Sequence, residues 1–168
     1  MEFRRAVEAD MNHILNIIHQ AQEYLKKAGI DQWQNGYPDI ETIKRDIENK
    51  HGYVLGNAGR ITGTIAVSFD GEMTYNNIYD GVWLTLDNYA VIHRLAVDSS
   101  LKGSGLASVM ISETEKLCRC KAVSGIRVDT HENNISMQTL LKKNGFRYCG
   151  VIYLEDGSKR LAFEKILK

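Results

Sequence analysis

The sequence predicts an α/β protein of the α+β type, in which helices cover one mixed sheet. Stretches with helical apolar spacing alternate with short runs rich in β-branched residues along the whole chain. Two pairs of these runs are separated by glycine turns, which is typical of hairpins. The order is strand, two helices, hairpin, strand, helix, strand, helix, hairpin. This order predicts a central, mostly antiparallel sheet of about six to seven strands with about four flanking helices.

The first part of the chain supplies a strand and two helices. Residues 3–7 form the expected strand, and Asp10 opens the first helix as its N-cap or first-turn acid. Gly29 suits the end of that helix. Residues recurring at helical spacing give its apolar face: Ile14, Ile17, Ile18, Ala21 and Leu25. A second short helix is expected to place Ile40, Ile43 and Ile47 on one face.

The rest of the chain supplies the other elements. A hairpin turns at residues 57–59, and residues 70–83 form a polar excursion with tyrosines. Two further strands, 89–97 and 124–130, each precede a helix, and Gly145 suits the end of the second helix. The last hairpin turns at residues 155–157, where Asp-Gly is a strong turn signal.

Composition is typical of one globular domain covering residues 1–168. The hydrophobic share is 43% and the charged share 25%, and 21 basic residues balance 21 acidic ones. This balance argues against nucleic-acid or anionic-membrane binding, which favours a basic surface. The three cysteines are odd in number and lack zinc-site spacing, and the N-terminus lacks the apolar core of a signal peptide. We therefore expect a cytoplasmic protein without a metal.

Two glycines one residue apart stand where the third helix begins, in Lys102-Gly-Ser-Gly105. The stretch does not match a P-loop. It is closer to the dinucleotide fingerprint, and Asp129 lies about where a ribose-binding acid would be. However, Ser108 replaces the third glycine, and the stretch lies well past its strand.

A third interpretation fits the stretch. Lys102, Gly105 and Ala107 resemble the [QR]-x-x-G-x-[GA] signature of the GCN5-related N-acetyltransferases (GNAT). The later run "NISMQTLLKKNGF" resembles the family's N-x-x-A-x-x-L-Y-x-x-x-G-F, and the opening "RRAVEADMNHILNI" looks like its first strand and helix. The resemblance spans nearly the whole chain and implies the GNAT fold.

The resemblance implies transfer of an acetyl group from acetyl-CoA, as co-substrate, to an amine. We expect this acceptor to be the primary amine of a small molecule. A pyrophosphate at a helix N-terminus needs close backbone approach, which glycines permit, and a nearby cation favours it. The implied cofactor-binding residues are Leu95, Ala96 and Val97 through their backbone, Lys102, Gly103, Ser104, Gly105, Leu106 and Ala107 in the loop and helix start, and Asn134. Asn134 would alternatively be a plain helix N-cap.

His93 is the candidate general base, because it shortly precedes an "LAV" run as in arylalkylamine acetyltransferases and because histidine titrates near neutral pH. In regular strand alternation it shares a face with Leu95 and Val97. An inert strand histidine is the alternative, and Asp87 or Tyr89 would act instead through a water.

The proton donor to the CoA thiolate departs from the family pattern, because Leu141 stands where many members have a tyrosine. Tyr153 or Tyr148 on the next strand, or solvent, would supply the proton. Cys149 as an acyl-carrying nucleophile lacks a visible activating partner.

Trp33 and Tyr37 lie where the family places substrate-covering loops, so they are candidate acceptor-binding residues. The alternative is that they anchor loops to the core. Two other functions stay open: acetylation of protein or peptide amino groups, and a catalytically silent acyl-CoA sensor. A homodimer is a further expectation, since dimers are common in this family.

Overall fold

The computed structural model describes residues 1–167, and a seven-stranded mixed sheet organises them. The strands are β1 (Glu2–Arg5), β2 (Gly52–Asn57), β3 (Arg60–Ser68), β4 (Tyr89–Val97), β5 (Gly125–Thr130), β6 (Arg147–Tyr153) and β7 (Lys159–Ile166). The helices are α1 (Met11–Lys27), α2 (Ile40–Glu48), α3 (Leu106–Cys120) and α4 (Ile135–Lys143). The predicted fold class is confirmed; β1 ends two residues before the predicted Val7.

The sheet has the order β1-β2-β3-β4-β5-β7-β6. The pairs β1–β2, β2–β3, β5–β7 and β6–β7 are antiparallel, whereas β4 and β5 are parallel. The parallel register covers only the first three residues of β4, Tyr89–Val91, against Gly125–Arg127. Among the strand pairs described here, the parallel one thus involves β4, the strand that carries the predicted base.

The turns form where the sequence predicts them. The first hairpin closes between Asn57 and Arg60, with Ala58 and Gly59 both at positive φ. This is the backbone that a two-residue hairpin turn requires. Gly145, at φ 84, donates its N–H to the Lys142 carbonyl and ends α4, as predicted.

One compact unit comprises Met1–Val67 and His93–Glu113. Its core contains the predicted apolar face of α1, and Trp33 packs against the same cluster. The buried members of this cluster are Ala6, Ile14, Ile17, Ile18, Ile43, Val54 and Ala96. The second helix also buries Ile43, since helical spacing brings it to the same side as Ile47.

The other compact unit comprises residues 68–92 and 114–167. Its core cluster joins Tyr75 to Val91, Ile152 and Ala162. Within residues 1–167, no helix has both the length and the apolar character that crossing a bilayer requires.

Candidate functional site

A short 3-10 turn, Ser99–Leu101, leads from β4 to the glycine loop. The Asp98 carboxylate caps this turn, because it accepts hydrogen bonds from the Ser100 N–H at 3.0 Å and the Ser100 hydroxyl at 2.7 Å. Arg60 also pairs with Asp98 at 2.6 Å. The loop therefore starts from a fixed point at the end of β4.

Gly103 and Gly105 have φ values of 83° and 86°. Residues that carry a side chain rarely adopt this left-handed backbone conformation, so the loop needs glycine at both positions. A Cβ built on either residue would meet no atom within 4 Å apart from those of its two neighbours in the chain. The requirement is therefore conformational, and the space in front of both glycines is open to an approaching group.

The glycine loop ends at the first turn of α3, which contains Leu106 and Ala107. The first N–H groups of a helix lack partners within it, and the helix dipole favours an anion there. Open space, two left-handed glycines and a helix N-terminus fit an anionic group such as a pyrophosphate. Ser104 is exposed, and its hydroxyl donates to the Leu101 carbonyl within the loop.

Lys102 is exposed, and its Nζ lies 3.0 Å from the centroid of the Tyr24 ring at the end of α1. This contact has cation–π geometry. The sequence predicted a cation next to the glycines, and the structure holds that cation against an aromatic face.

Strand β4 is irregular at Arg94, whose φ is 52°. This conformation is rare for a residue with a side chain and marks a local distortion of the strand. The regular alternation expected for His93, Leu95 and Val97 is therefore broken between the first two of them. Leu95 and Val97 are partly buried, while Ala96 lies in the core.

The Arg94 side chain forms a network that sequence reasoning missed. Its Nε and Nη2 donate to the two carboxylate oxygens of Asp46 at 2.7 and 2.6 Å, and its Nη1 donates to the Tyr37 hydroxyl at 2.9 Å. Both charged side chains are largely buried. An arginine inside an apolar strand was the available signal, since a buried guanidinium requires a partner.

His93 is partly buried beside this network. Burial lowers its pKa from 6.5 to about 4, with further lowering by the Arg94 charge and an opposing effect of Asp46. The pKa of His93 therefore lies below the near-neutral value expected for a histidine base. The imidazole is neutral at pH 7 and able to accept a proton, although it is a weaker base than expected.

The two candidate acceptor-binding residues have different surroundings. Trp33 is partly buried against the core of its unit, which matches the loop-anchoring alternative. Tyr37 is 44% exposed, and its hydroxyl accepts the hydrogen bond from Arg94. The structure thus links Tyr37 to β4 through a hydrogen bond.

In the other unit, Asn134 is the N-cap of α4. Its Oδ1 accepts a hydrogen bond from the Met137 N–H at 3.1 Å, and the residue is buried. Its capping function is therefore established, and its contact with the cofactor stays a prediction. Leu141, at the position where the family pattern has a tyrosine, is fully buried in the core.

Tyr153 ends β6 and is 45% exposed. Its ring lies edge-on against Tyr79, with centroids 5.4 Å apart. Tyr79 exchanges two backbone hydrogen bonds of 2.8 Å with Val151, so it is attached to the free edge of β6. Tyr148 is instead packed edge-on against Phe163.

Two further groups have chemistry that the structure restricts. The Tyr75 hydroxyl donates to Asp129 Oδ1 at 2.7 Å, and burial raises the pKa of both residues. Asp129 is thus committed to Tyr75, which further weakens the dinucleotide interpretation. Burial also raises the pKa of the Cys149 thiol to about 11, so this cysteine is a poor nucleophile at neutral pH.

Among residues 1–167, no group of three or more His, Cys, Asp or Glu side chains is arranged to hold a metal ion.

Comparisons with known proteins agree on one family. The model of the acetyltransferase (GNAT) family matches residues 17–146. A GNAT-family acetyltransferase from Streptococcus agalactiae is 34% identical, with a TM-score of 0.90 over 99% of this chain and 95% of that chain. A GNAT-family acetyltransferase from Listeria monocytogenes is 24% identical, with a TM-score of 0.76 over 99% and 94% of the two chains.

At 24% identity the Listeria structure shows the fold alone, as does a more distant one. The more distant structure is a ribosomal-protein-alanine N-acetyltransferase from Brucella melitensis, 20% identical, with a TM-score of 0.73 over 99% of this chain and 100% of that chain. No curated protein matches the chain.

Proposed function

Because the chain belongs to the acetyltransferase (GNAT) family, and is by that membership an acetyl-CoA-dependent N-acetyltransferase, we propose that its acceptor is the primary amine of a small molecule. The observation that supports the acetyl-CoA half of this reaction is the loop before α3, with its two left-handed glycines facing open space. A helix N-terminus with bare backbone suits the pyrophosphate of acetyl-CoA.

We assign the binding of acetyl-CoA to the glycine loop, the start of α3 and the backbone of β4. Gly103 and Gly105 allow close approach of the phosphates, Lys102 adds a positive charge, and Leu106 and Ala107 contribute backbone N–H groups. Ser104 lies between the two glycines and shapes the loop, because its N–H and its hydroxyl both donate to the Leu101 carbonyl. The N–H groups of Leu95, Ala96 and Val97 would stabilise charge on the thioester oxygen. We also assign Asn134 a contact with the cofactor arm, in addition to its capping role.

His93 is the proposed general base. An alkylammonium has a pKa of about 10.4, taking lysine as a model, so the amine must lose a proton before it attacks. The buried imidazole is neutral at pH 7 and accepts that proton directly or through water. His93→Ala should lower kcat/KM by at least about 100-fold. An unchanged rate would contradict the assignment.

Tyr153 is the proposed donor to the departing thiolate, since Leu141 has no proton to give. A thiol pKa of about 8.5 makes a solvent proton the competing source. Tyr153→Phe keeps the ring contact with Tyr79 and removes only the hydroxyl. A drop in kcat at constant acetyl-CoA KM supports Tyr153, and an unchanged kcat supports solvent.

An amine panel tests the function as a whole. Release of the CoA thiol should be measured with polyamines, aminoglycosides, arylalkylamines and peptides with free N-termini. Turnover on small amines supports the proposal, whereas turnover on peptides alone supports the protein-acetylating alternative. Tight CoA binding without any turnover would identify an acyl-CoA sensor instead. A cytoplasmic location and a homodimer stay predictions, and sedimentation tests the second.

A further inference from the structure

One guanidinium connects three parts of the first unit. Arg94 belongs to β4, Asp46 belongs to α2, and Tyr37 lies in the segment between α1 and α2. Three of the five N–H donors of Arg94 are used, two on the Asp46 carboxylate and one on the Tyr37 oxygen. A fork of this kind fixes direction as well as distance, which a lysine would not do.

The network is also tied to the irregular point of β4. Arg94 itself has the left-handed backbone, and its side chain reaches α2 from there. Such a conformation persists where its surroundings hold it in place. The two nearly buried charges satisfy each other, since the side chains of Arg94 and Asp46 are 14% and 11% exposed.

The hydrogen bond from Arg94 determines whether the Tyr37 hydroxyl can act as a donor or as an acceptor toward another group. Arg94 Nη1 has no acceptor capacity, so the Tyr37 oxygen is the acceptor in their contact. The phenol proton must therefore point away from Arg94. Because Tyr37 is 44% exposed, that proton is presented on the surface of the unit. Its partner Arg94 directly follows His93 on β4.

We propose that the Asp46–Arg94 pair fixes the Tyr37 hydroxyl as a hydrogen-bond donor to an oxygen atom of the acceptor, so that the preferred substrate is an amine with a nearby hydroxyl, carbonyl or carboxylate oxygen. The inference rests on the proposed function and names the acceptor class of the same site. Tyr37 contacts the acceptor, and Arg94 and Asp46 are positioning residues that act through it.

The test compares ethanolamine-type amines with alkylamines of equal length in steady-state assays. Tyr37→Phe should raise the KM of the oxygen-bearing amine roughly tenfold, the scale of one lost hydrogen bond, and leave the alkylamine and acetyl-CoA KM unchanged. Asp46→Asn should also raise the KM of the oxygen-bearing amine, because it weakens the ion pair that holds the Arg94 side chain. Arg94→Lys should also lose the preference for the oxygen-bearing amine, because an ammonium cannot reproduce the two parallel hydrogen bonds of the guanidinium.

A matched control is Arg4→Lys, since Arg4 makes a comparable bidentate pair with Asp10 at 2.7 and 2.9 Å in the same unit. It should leave both amine KM values unchanged. A KM that rises equally for both amines in Tyr37→Phe would overturn the inference, because a loosened loop does not discriminate between them. Absence of turnover with every amine would overturn the proposed function and the acceptor role together, whereas turnover without the KM difference overturns this inference alone.

Discussion

His93 is surrounded by charges that act in opposite directions on its proton. Burial lowers its pKa most, the Arg94 guanidinium lowers it further, and the Asp46 carboxylate raises it. The unfolded chain binds this proton below about pH 6.5, whereas the folded protein binds it only near pH 4. His93 therefore contributes a loss of stability as the pH falls from about 6.5 through about 4.

Direct titration of the imidazole tests this account. Histidine ring resonances should show one group with a pKa of about 4, absent from the spectrum of His93→Gln. Arg94→Gln removes a neighbouring cation and leaves Asp46 unpaired, so it should move the pKa of His93 upward. A wild-type titration near 6.5 would contradict the lowered pKa and return His93 to an ordinary histidine.

Gly81 shows the opposite requirement from the glycines of the loop. Its backbone conformation is not left-handed, but an added Cβ would overlap the backbone carbonyl of Cys149 on β6. Gly81→Ala should therefore destabilise the protein by about 2 kcal/mol or more, as overpacking against an immobile backbone does. Urea unfolding measures the change.

The matched control for Gly81 is Gly56 on β2. An added Cβ there would meet its nearest neighbour at 3.6 Å, an ordinary contact, and φ is not positive. Gly56→Ala should change stability by less than about 1 kcal/mol. Equal effects of the two substitutions would show that close packing at Gly81 is not what requires glycine.

At the scale of elements, the N-terminus of α3 and its loop are the most specific part of the candidate site. Lys102→Glu reverses the charge next to the proposed pyrophosphate position. It should weaken CoA binding by roughly tenfold, as the loss of a charge-assisted contact does. Calorimetric titration with CoA provides the measurement.

Lys121, near the other end of α3, provides the control because its Nζ also lies over an aromatic ring, 5.0 Å from the centroid of Phe69. Lys121→Glu makes the same charge change and should leave the CoA affinity unaltered. If both variants bind CoA alike, the proposed cofactor position at the glycine loop is wrong.

The same elements show how far local sequence patterns reach. Apolar spacing predicted α1, and Asn-Ala-Gly and Asp-Gly predicted the hairpins, because these signals act over a few residues. The glycine loop was predicted since only glycine readily adopts its backbone. The distortion at Arg94 was missed, because its left-handed residue is not glycine and its partner Asp46 lies 48 residues away.

For the molecule as a whole, the sheet order depends on contacts between distant parts of the chain, and the buried pair Arg127–Glu164 illustrates this. Glu164 Oε1 accepts from Arg127 at 3.1 Å, and Oε2 accepts from the Leu84 N–H at 2.6 Å. Arg127 also donates to the Thr85 carbonyl. The pair thus attaches residues 84–85 to β5 and β7, an arrangement that no local pattern predicts.

Urea unfolding of variants at Arg127 and Glu164 measures how much this pair contributes to the free energy of unfolding. Glu164→Leu or Arg127→Met alone should cost about 3–5 kcal/mol, since each leaves a buried charge without its partner. The double variant should cost clearly less than the sum, because no uncompensated charge remains. Lys159→Met, which breaks an exposed pair with Glu132, should cost less than about 1 kcal/mol in the same urea experiment. Additive single effects would mean that the two charges do not compensate each other.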